Sequence, residues 1–229
     1  MNGKSAWARC YGLVLFFSLI LMVTFFISTP AQARKGWYLG GGLAKQSMSG
    51  GFEGNDGYMD PGMTVVVAPG KLAPGSGLAL LLGYGFNENA SLEYYFSSTS
   101  HSARFDAPGF PGQSATLSAG IIGPRFSTDS DNLSLFARLG LSAGILTYEN
   151  AATSDGVNYF EAEFSGGGTG YGVGFEKIFG KWGLEVSFNK ISVTFDELSV
   201  KTASGTLAGA IPGKGASITN TSALFSYHF

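Results

Sequence analysis

From residue 37 to the last residue, 229, this chain counts by twos. Trp37, Leu39, Gly41 and Leu43 interleave with Tyr38, Gly40, Gly42 and Ala44. Leu78 to Phe86, Leu92 to Phe96, and Leu117, Ala119 and Ile121 repeat the pattern, as do Leu133 to Leu141 and Ile145. Tyr171 to Phe175, Trp182 to Phe188, and Phe225, Tyr227 and Phe229 complete it. Alternation of this kind belongs to β-strands with two unlike faces. It predicts eight strands, most of about ten residues, which is the length of a tilted strand crossing a membrane.

The connections alternate in length. Short ones fall at 87–89, 127–132 and 178–181, and long ones at roughly 46–76, 98–113, 149–163 and 194–216, rich in Gly, Ser, Pro, Asp and Asn. That spacing describes an antiparallel up-and-down meander with short turns at one end and long loops at the other. In a transmembrane β-barrel the short turns face the periplasm and the long loops face outside.

The choice of solvent depends on which face is buried. An eight-stranded barrel has an interior only just wide enough for its side chains. Turning the bulky Leu, Phe, Tyr and Trp faces inward, as in a soluble lipocalin-like barrel, would overfill it and leave Gly and Ser on the surface. The opposite assignment puts small residues in the lumen and the bulky band against hydrocarbon, where closure satisfies every backbone N–H and C=O. Trp37, Tyr84, Phe86 and Trp182 then lie near the short-turn end, as membrane-interface aromatics do. Composition agrees: 35 glycines, 14% aromatic and 13% charged residues exclude a disordered chain. A net charge of -2 offers no basic surplus for nucleic acid.

Residues 1–33 read as a secretory signal peptide. Lys4 and Arg9 precede the apolar run Leu13 to Ile27, and Pro30-Ala31-Gln32-Ala33 supplies a cleavage site. The run is short for an uncleaved anchor. Residues 34–229 form the barrel domain. The only cysteine, Cys10, leaves with the leader, so no disulfide framework is expected. Removing two bases leaves 12 against 16 acids, a charge of -4.

The final strand, SALFSYHF, carries Phe225, Tyr227 and Phe229 at alternate positions. It resembles the C-terminal assembly signal of bacterial outer-membrane barrels. GWYLGGGLA, LLGYGFNENASLEYYF and GVGFEKIFGKWGLEVSF are similar to the small porin-like barrel family of the OmpA membrane domain and OmpX. The resemblance covers residues 34–229 and implies an eight-stranded barrel in the outer membrane of a Gram-negative bacterium. It also implies contact with outer-membrane lipid and lipopolysaccharide, insertion by the barrel assembly machinery, and a monomer. A counterpart of the periplasmic cell-wall domain that the OmpA family often carries is not expected here.

Inside the lumen the alternation places Glu93, Arg138, Glu176 and Glu185. Glu176 and Glu185 flank the 178–181 turn and would repel unless a cation intervenes; Arg138 is the natural candidate. The resemblance makes relevant the interior acid–base pairs that plug such lumens, as a gate or as a structural network. Strict alternation points Arg125 and Lys177 outward, where each snorkels at the interface, unless a bulge at Pro124 turns Arg125 in.

Enzymatic readings find little support in the residues. Some small barrels modify lipid A, but His101-Ser102 lacks both the spacing and the following Asn of the deacylases. Two separated histidines and no cysteine after the leader give no metal spacing, and no cofactor is expected. The glycines of 166–174 alternate and precede no helix, so they are not a nucleotide loop. The expected role is non-enzymatic: envelope structure or surface interaction, with at most narrow passive pore activity. An OmpW-like route for small apolar molecules would need an apolar lumen, whereas the inward residues read as mostly Gly, Ser and Glu. The long loops expose Met48, Phe52, Tyr58, Met63, Val65 to Val67 and Leu207 as a candidate surface for a ligand.

Overall fold

The computed structural model describes residues 35–53, 58–59, 66–67, 69–104, 113–128, 133–152, 159–202 and 205–229, so the expected leader lies outside the described residues. Eight long strands carry the alternating segments: β1 (Gly36–Gly50), β2 (Gly75–Gly85), β3 (Ala90–Arg104), β4 (Gln113–Ser127), β5 (Ser134–Ala152), β6 (Tyr159–Phe179), β7 (Trp182–Thr202) and β8 (Gly205–His228). Each pairs antiparallel with its neighbours in sequence, and β1 pairs with β8, so the sheet closes on itself. A two-residue ladder joins Tyr58–Met59 to Val66–Val67, and Lys71–Leu72 adds to the far end of β3.

The register fixes the shape of the barrel. Stepping across the ladders from Leu39 leads through Leu82, Tyr94, Ile122 and Leu141. The path continues through Thr169, Ser192 and Ser217 and re-enters β1 at Ser49, ten residues beyond its start. A stagger of ten over eight strands requires a strand tilt of roughly 40°. Each step from one strand to the next therefore climbs the barrel axis by the equivalent of 10/8 of a residue. Positions that share a height are set by this stagger and not by sequence spacing.

Near the short-turn end the bulky faces point outward. Leu39, Leu43, Leu80, Leu139, Tyr171 and Phe188 are all exposed. A contiguous apolar belt of this size on a single chain marks a surface that meets another apolar phase, here lipid. Trp37 meets Tyr84 at 5.2 Å and Tyr84 meets Phe86 at 5.5 Å; Trp182 lies 4.8 Å from Tyr227 and 5.0 Å from Phe225. These rings collect at the short-turn end of β7, β8, β1 and β2.

Farther from the turns the polarity of the two faces inverts. On β7, Trp182 and Phe188 are outward, but Ile191, Val193 and Phe195 are buried inside while Ser192 and Thr194 face out. On β8, Ala223 and Thr221 face out above Phe225, and Ile218 and Ala216 turn in. On β4, Leu117, Ala119 and Ile121 are 0%, 1% and 2% exposed, whereas Ile122 and Phe126 are on the outer surface. The expectation that Leu117, Ala119 and Ile121 face lipid is therefore corrected. Ile121 lies inside at the upper edge of the belt, level with outward Leu141, and Ala119 and Leu117 lie above it, where apolar residues fill the centre.

This second core also explains why the expected long loops are shorter than anticipated. Most of 98–104, 149–152, 159–163 and 194–216 is strand. A β-bulge between Phe195 and Glu197 resets the alternation so that Leu198 and Val200 remain inside. Met48 and Phe52, expected on an exposed loop, are buried, while Leu207 is exposed. The side chains of Tyr58, Val66 and Val67, and Met63 and Val65 altogether, lie outside the described residues.

Glycine makes the narrow interior feasible at particular crossings. Gly83 lies under the Tyr38 ring, which a Cβ would strike. At Gly170 a Cβ would sit 2.7 Å from Ile121 and 3.5 Å from Ile191. A Leu82→Arg substitution in the belt should cost about 2–4 kcal/mol. Ser102→Arg, outward but above the inversion, should change stability by no more than about 0.5 kcal/mol. Urea unfolding in lipid vesicles measures both.

Candidate functional site: a filled barrel interior

The stagger brings seven strands to one height near the short-turn end. Glu93 (β3), Arg125 (β4), Arg138 (β5), Glu176 (β6) and Glu185 (β7) are all buried there, with Tyr38 from β1 and His228 from β8 beside them. Arg125 points inward with no bulge at Pro124; its register with β3 and β5 is continuous. It shares the inner face with Leu117, Ala119 and Ile121, so one misread phase on β4 displaces both the apolar residues and the arginine.

Arg125 is the hub. Its Nη1 lies 2.8 Å from Glu93 Oε1 and 2.9 Å from Glu185 Oε2, and its Nη2 is 3.1 Å from Glu176 Oε2. The cation between Glu176 and Glu185 is thus Arg125, in place of the expected Arg138. Arg138 instead donates to Glu185 Oε1 and lies 3.6 Å from Glu93 Oε2. The Arg125 guanidinium stacks 3.7 Å from the Phe136 ring centroid, and Arg138 sits 4.9 Å from the same ring and 5.0 Å from Tyr95. Tyr38 donates to Glu93 Oε1 at 2.5 Å, and the Ser91 hydroxyl lies 3.0 Å from the Tyr38 oxygen. His228 stacks on Tyr38 and approaches Glu176 at 4.0 Å.

Two guanidiniums, which stay charged in proteins, thus face three carboxylates, with His228 as the third basic group. Glu93 and Glu185 each have both guanidiniums beside them, and Glu176 has Arg125 and the His228 ring, which is how such charges persist away from water. The charge pattern of the sequence held a signal for Arg125, since three inward acids and one inward base leave an excess that a second buried cation offsets.

Above this layer lies a network of amides and hydroxyls. Tyr95 donates to Asn220 at 2.5 Å, and Asn220 and Gln46 donate to Ser97 at 3.2 and 2.6 Å. Thr99 donates to Gln46 at 2.6 Å and lies 2.6 Å from His101 Nε2, and His101 Nδ1 is 2.8 Å from the Ala73 carbonyl. His101 is inside the barrel and Ser102 outside, so this pair cannot act together as base and nucleophile.

The third layer is apolar and includes Leu117, Leu146, Ile191, Val193 and Ile218. The earlier expectation of a lumen of Gly, Ser and Glu therefore holds only toward the short turns. Phe52, beyond the end of β1, inserts into this layer with its ring 4.4 Å from Phe195 and 5.1 Å from Phe164. The strap at 69–74 joins the same layer through Leu72, tied by Ala73 N–H to Ser102 O at 2.9 Å and by Leu72 N–H to Glu53 at 3.1 Å. Burial at this mouth raises the Glu53 carboxyl above its ordinary value, and the Leu72 N–H and Lys71 partly pull it back.

Of the remaining charged position in question, Lys177 lies on the outer side, its Nζ 5.1 Å from the Phe179 ring. Arg125→Met should lower unfolding free energy by about 3–5 kcal/mol, because it strands three buried carboxylates. Lys177→Met should stay within about 0.5 kcal/mol. Equal urea midpoints for the two variants would remove the hub role of Arg125.

Comparison with known proteins places this geometry. The structure of OprG from Pseudomonas aeruginosa superposes with a TM-score of 0.56 at 12% identity, covering 86% of this chain and 97% of that one. Neisserial surface protein A gives 0.53 at 12% identity, covering 85% and 98%. AlkL in lipid bilayers gives 0.54 at 12% identity, covering 89% and 95%. At such identities the likeness is one of fold. No curated protein sequence matches the chain. Residues 17–229 match the model of the outer membrane protein beta-barrel domain, and the chain belongs to that family of outer-membrane β-barrels.

Proposed function

We propose that this outer-membrane barrel is a closed, non-enzymatic envelope protein that acts through its lipid-facing wall and extracellular surface. The observation that carries the reading is the filling of the interior in three successive layers: ion pairs, then amides and hydroxyls, then an apolar plug with Phe52 inserted. A side-chain packing of this kind leaves ions to cross only after several buried partners separate. In this reading residues 1–33 direct export and are removed, and Phe225, Tyr227 and Phe229 present the final strand to the assembly machinery. The mature chain stands as a monomer among outer-membrane lipids. A ligand, where there is one, meets the extension of β6, β7 and β8 that rises above the lipid belt, including exposed Leu207.

A second reading, passage of small apolar molecules, is favoured by one observation, the apolar character of the upper interior. In that case Phe52 and the strap at 69–74 occupy the entry and must move aside.

Planar-bilayer recording of the refolded mature chain separates these readings from a pore. The proposal expects a silent membrane for the natural sequence at neutral pH. Regular conductance steps that persist in Arg125→Met and Glu185→Gln would contradict it. For the second reading, Phe52→Ala should speed entry of a hydrocarbon into liposomes carrying the barrel, and an unchanged rate removes it.

A further inference from the structure

Polarity inversion marks the height at which the outer wall leaves hydrocarbon. On the face made by β7, β8 and β1, the last large apolar residues facing out are Phe188 and Leu43, both exposed. The next outward residues are Lys190 on β7 and Lys45 on β1, also exposed. Lys45 is paired across β8 with the level of Phe188, through Thr221. Lys190 stands two residues above Phe188, and the 10/8-residue climb per strand lifts Lys45 by about the same amount over its two steps. The two lysines therefore share one height, separated by the single strand β8. Strand spacing and rise put their Cα atoms about 12 Å apart.

The wall between and around them is hydroxylic. Thr219 and Thr221 on β8, Ser192 on β7 and Ser47 on β1 turn outward beside the lysines. β1 and residues 216–229 contain no Asp or Glu, and the only acid of β7 before Asp196 is the inward Glu185. Elsewhere around the barrel, the outward positions nearest this height are Leu78, Ser98, Gly120, Leu141 and Thr169, none of them charged. Among the described residues at this height, positive charge is thus confined to the seam where the first and last strands meet.

We infer that Lys45 and Lys190 clamp the phosphate-bearing headgroup of one outer-leaflet lipid over β8. The acyl chains continue down the apolar belt beneath, past Leu43, Ala223 and Phe188. Two flexible ammonium-tipped stems converge on the phosphate from either side, with the Thr219 and Thr221 hydroxyls between them. Continuity with the belt commits the site to a membrane lipid, because a dissolved anion gains nothing from the apolar wall below. The inference deepens the proposed lipid-facing role and is independent of whether the lumen conducts.

The test uses the full mature chain refolded into phosphatidylcholine vesicles doped with lipid A, either bis-phosphorylated or enzymatically dephosphorylated. Bound lipid is counted by native mass spectrometry after extraction into mild detergent. Retention of the phosphorylated form should fall roughly fivefold for Lys45→Gln or Lys190→Gln, and about 25-fold for the pair. Lys177→Gln, on the short-turn side, should retain it as the natural sequence does, and inorganic phosphate should not displace it. Equal retention of the two lipids, no loss in the double variant, or displacement by inorganic phosphate would each overturn the clamp. Heat-modifiable gel mobility confirms that every variant is folded, and failure of the natural chain to insert would count instead against the lipid-facing role itself.

Discussion

Backbone closure is the constraint from which the rest of the structure follows. In lipid no water is available to satisfy an open strand edge, and the β1–β8 ladder from Tyr38–His228 to Gly50–Ala216 removes that edge. The ten-residue stagger at this seam sets the tilt and thereby decides which side chains share a level. Glu93, Arg125, Arg138, Glu176 and Glu185 are scattered over 93 to 185 in sequence, yet the stagger delivers them to one layer. The same stagger puts Lys45 and Lys190 at one height outside.

Within that frame, each strand crosses two solvents. Beside hydrocarbon the interior holds polar groups and the exterior is apolar; above it the interior is apolar and the exterior polar. A strand therefore has to move its apolar set from one face to the other, and β7 does so between Phe188 and Ile191. Alternation alone, read with a single assignment of faces, gives the eight strands and the orientation of Trp37, Leu39, Leu80 and Phe188. It misassigns Leu117, Ala119 and Ile121 because on β4 the apolar run legible in the sequence starts at the upper edge of the belt and continues upward on the inner face. The Ser, Thr and Gly content of 194–216 likewise resembles a loop, although the apolar partners that hold it as strand, among them Phe52 and Phe164, come from distant segments.

The charge layer was partly legible for a related reason. Glu176 and Glu185 oppose each other directly across a short turn, so their pairing follows from local sequence. Arg125 is reached only through the phase of its strand, and its role as hub depends on β3, β6 and β7 meeting at the same level. Such a layer contributes little net stability compared with apolar packing, since desolvating the ions offsets most of their attraction. What it does is fill the lumen with groups that are costly to separate, and the rings of Phe136 and Tyr95 wedge the guanidiniums in place.

The exchange of faces along one strand is open to direct measurement, because residues 34–229 contain no cysteine. Single cysteines placed from 182 to 195 on β7 can carry a fluorophore read by brominated lipids and by an aqueous quencher. The account predicts lipid quenching at 182, 184, 186 and 188, aqueous quenching at 192 and 194, and protection from both at 191, 193 and 195. Lipid quenching at 191 and 193 would contradict it, since those side chains would then belong to the membrane face and not to a core above it.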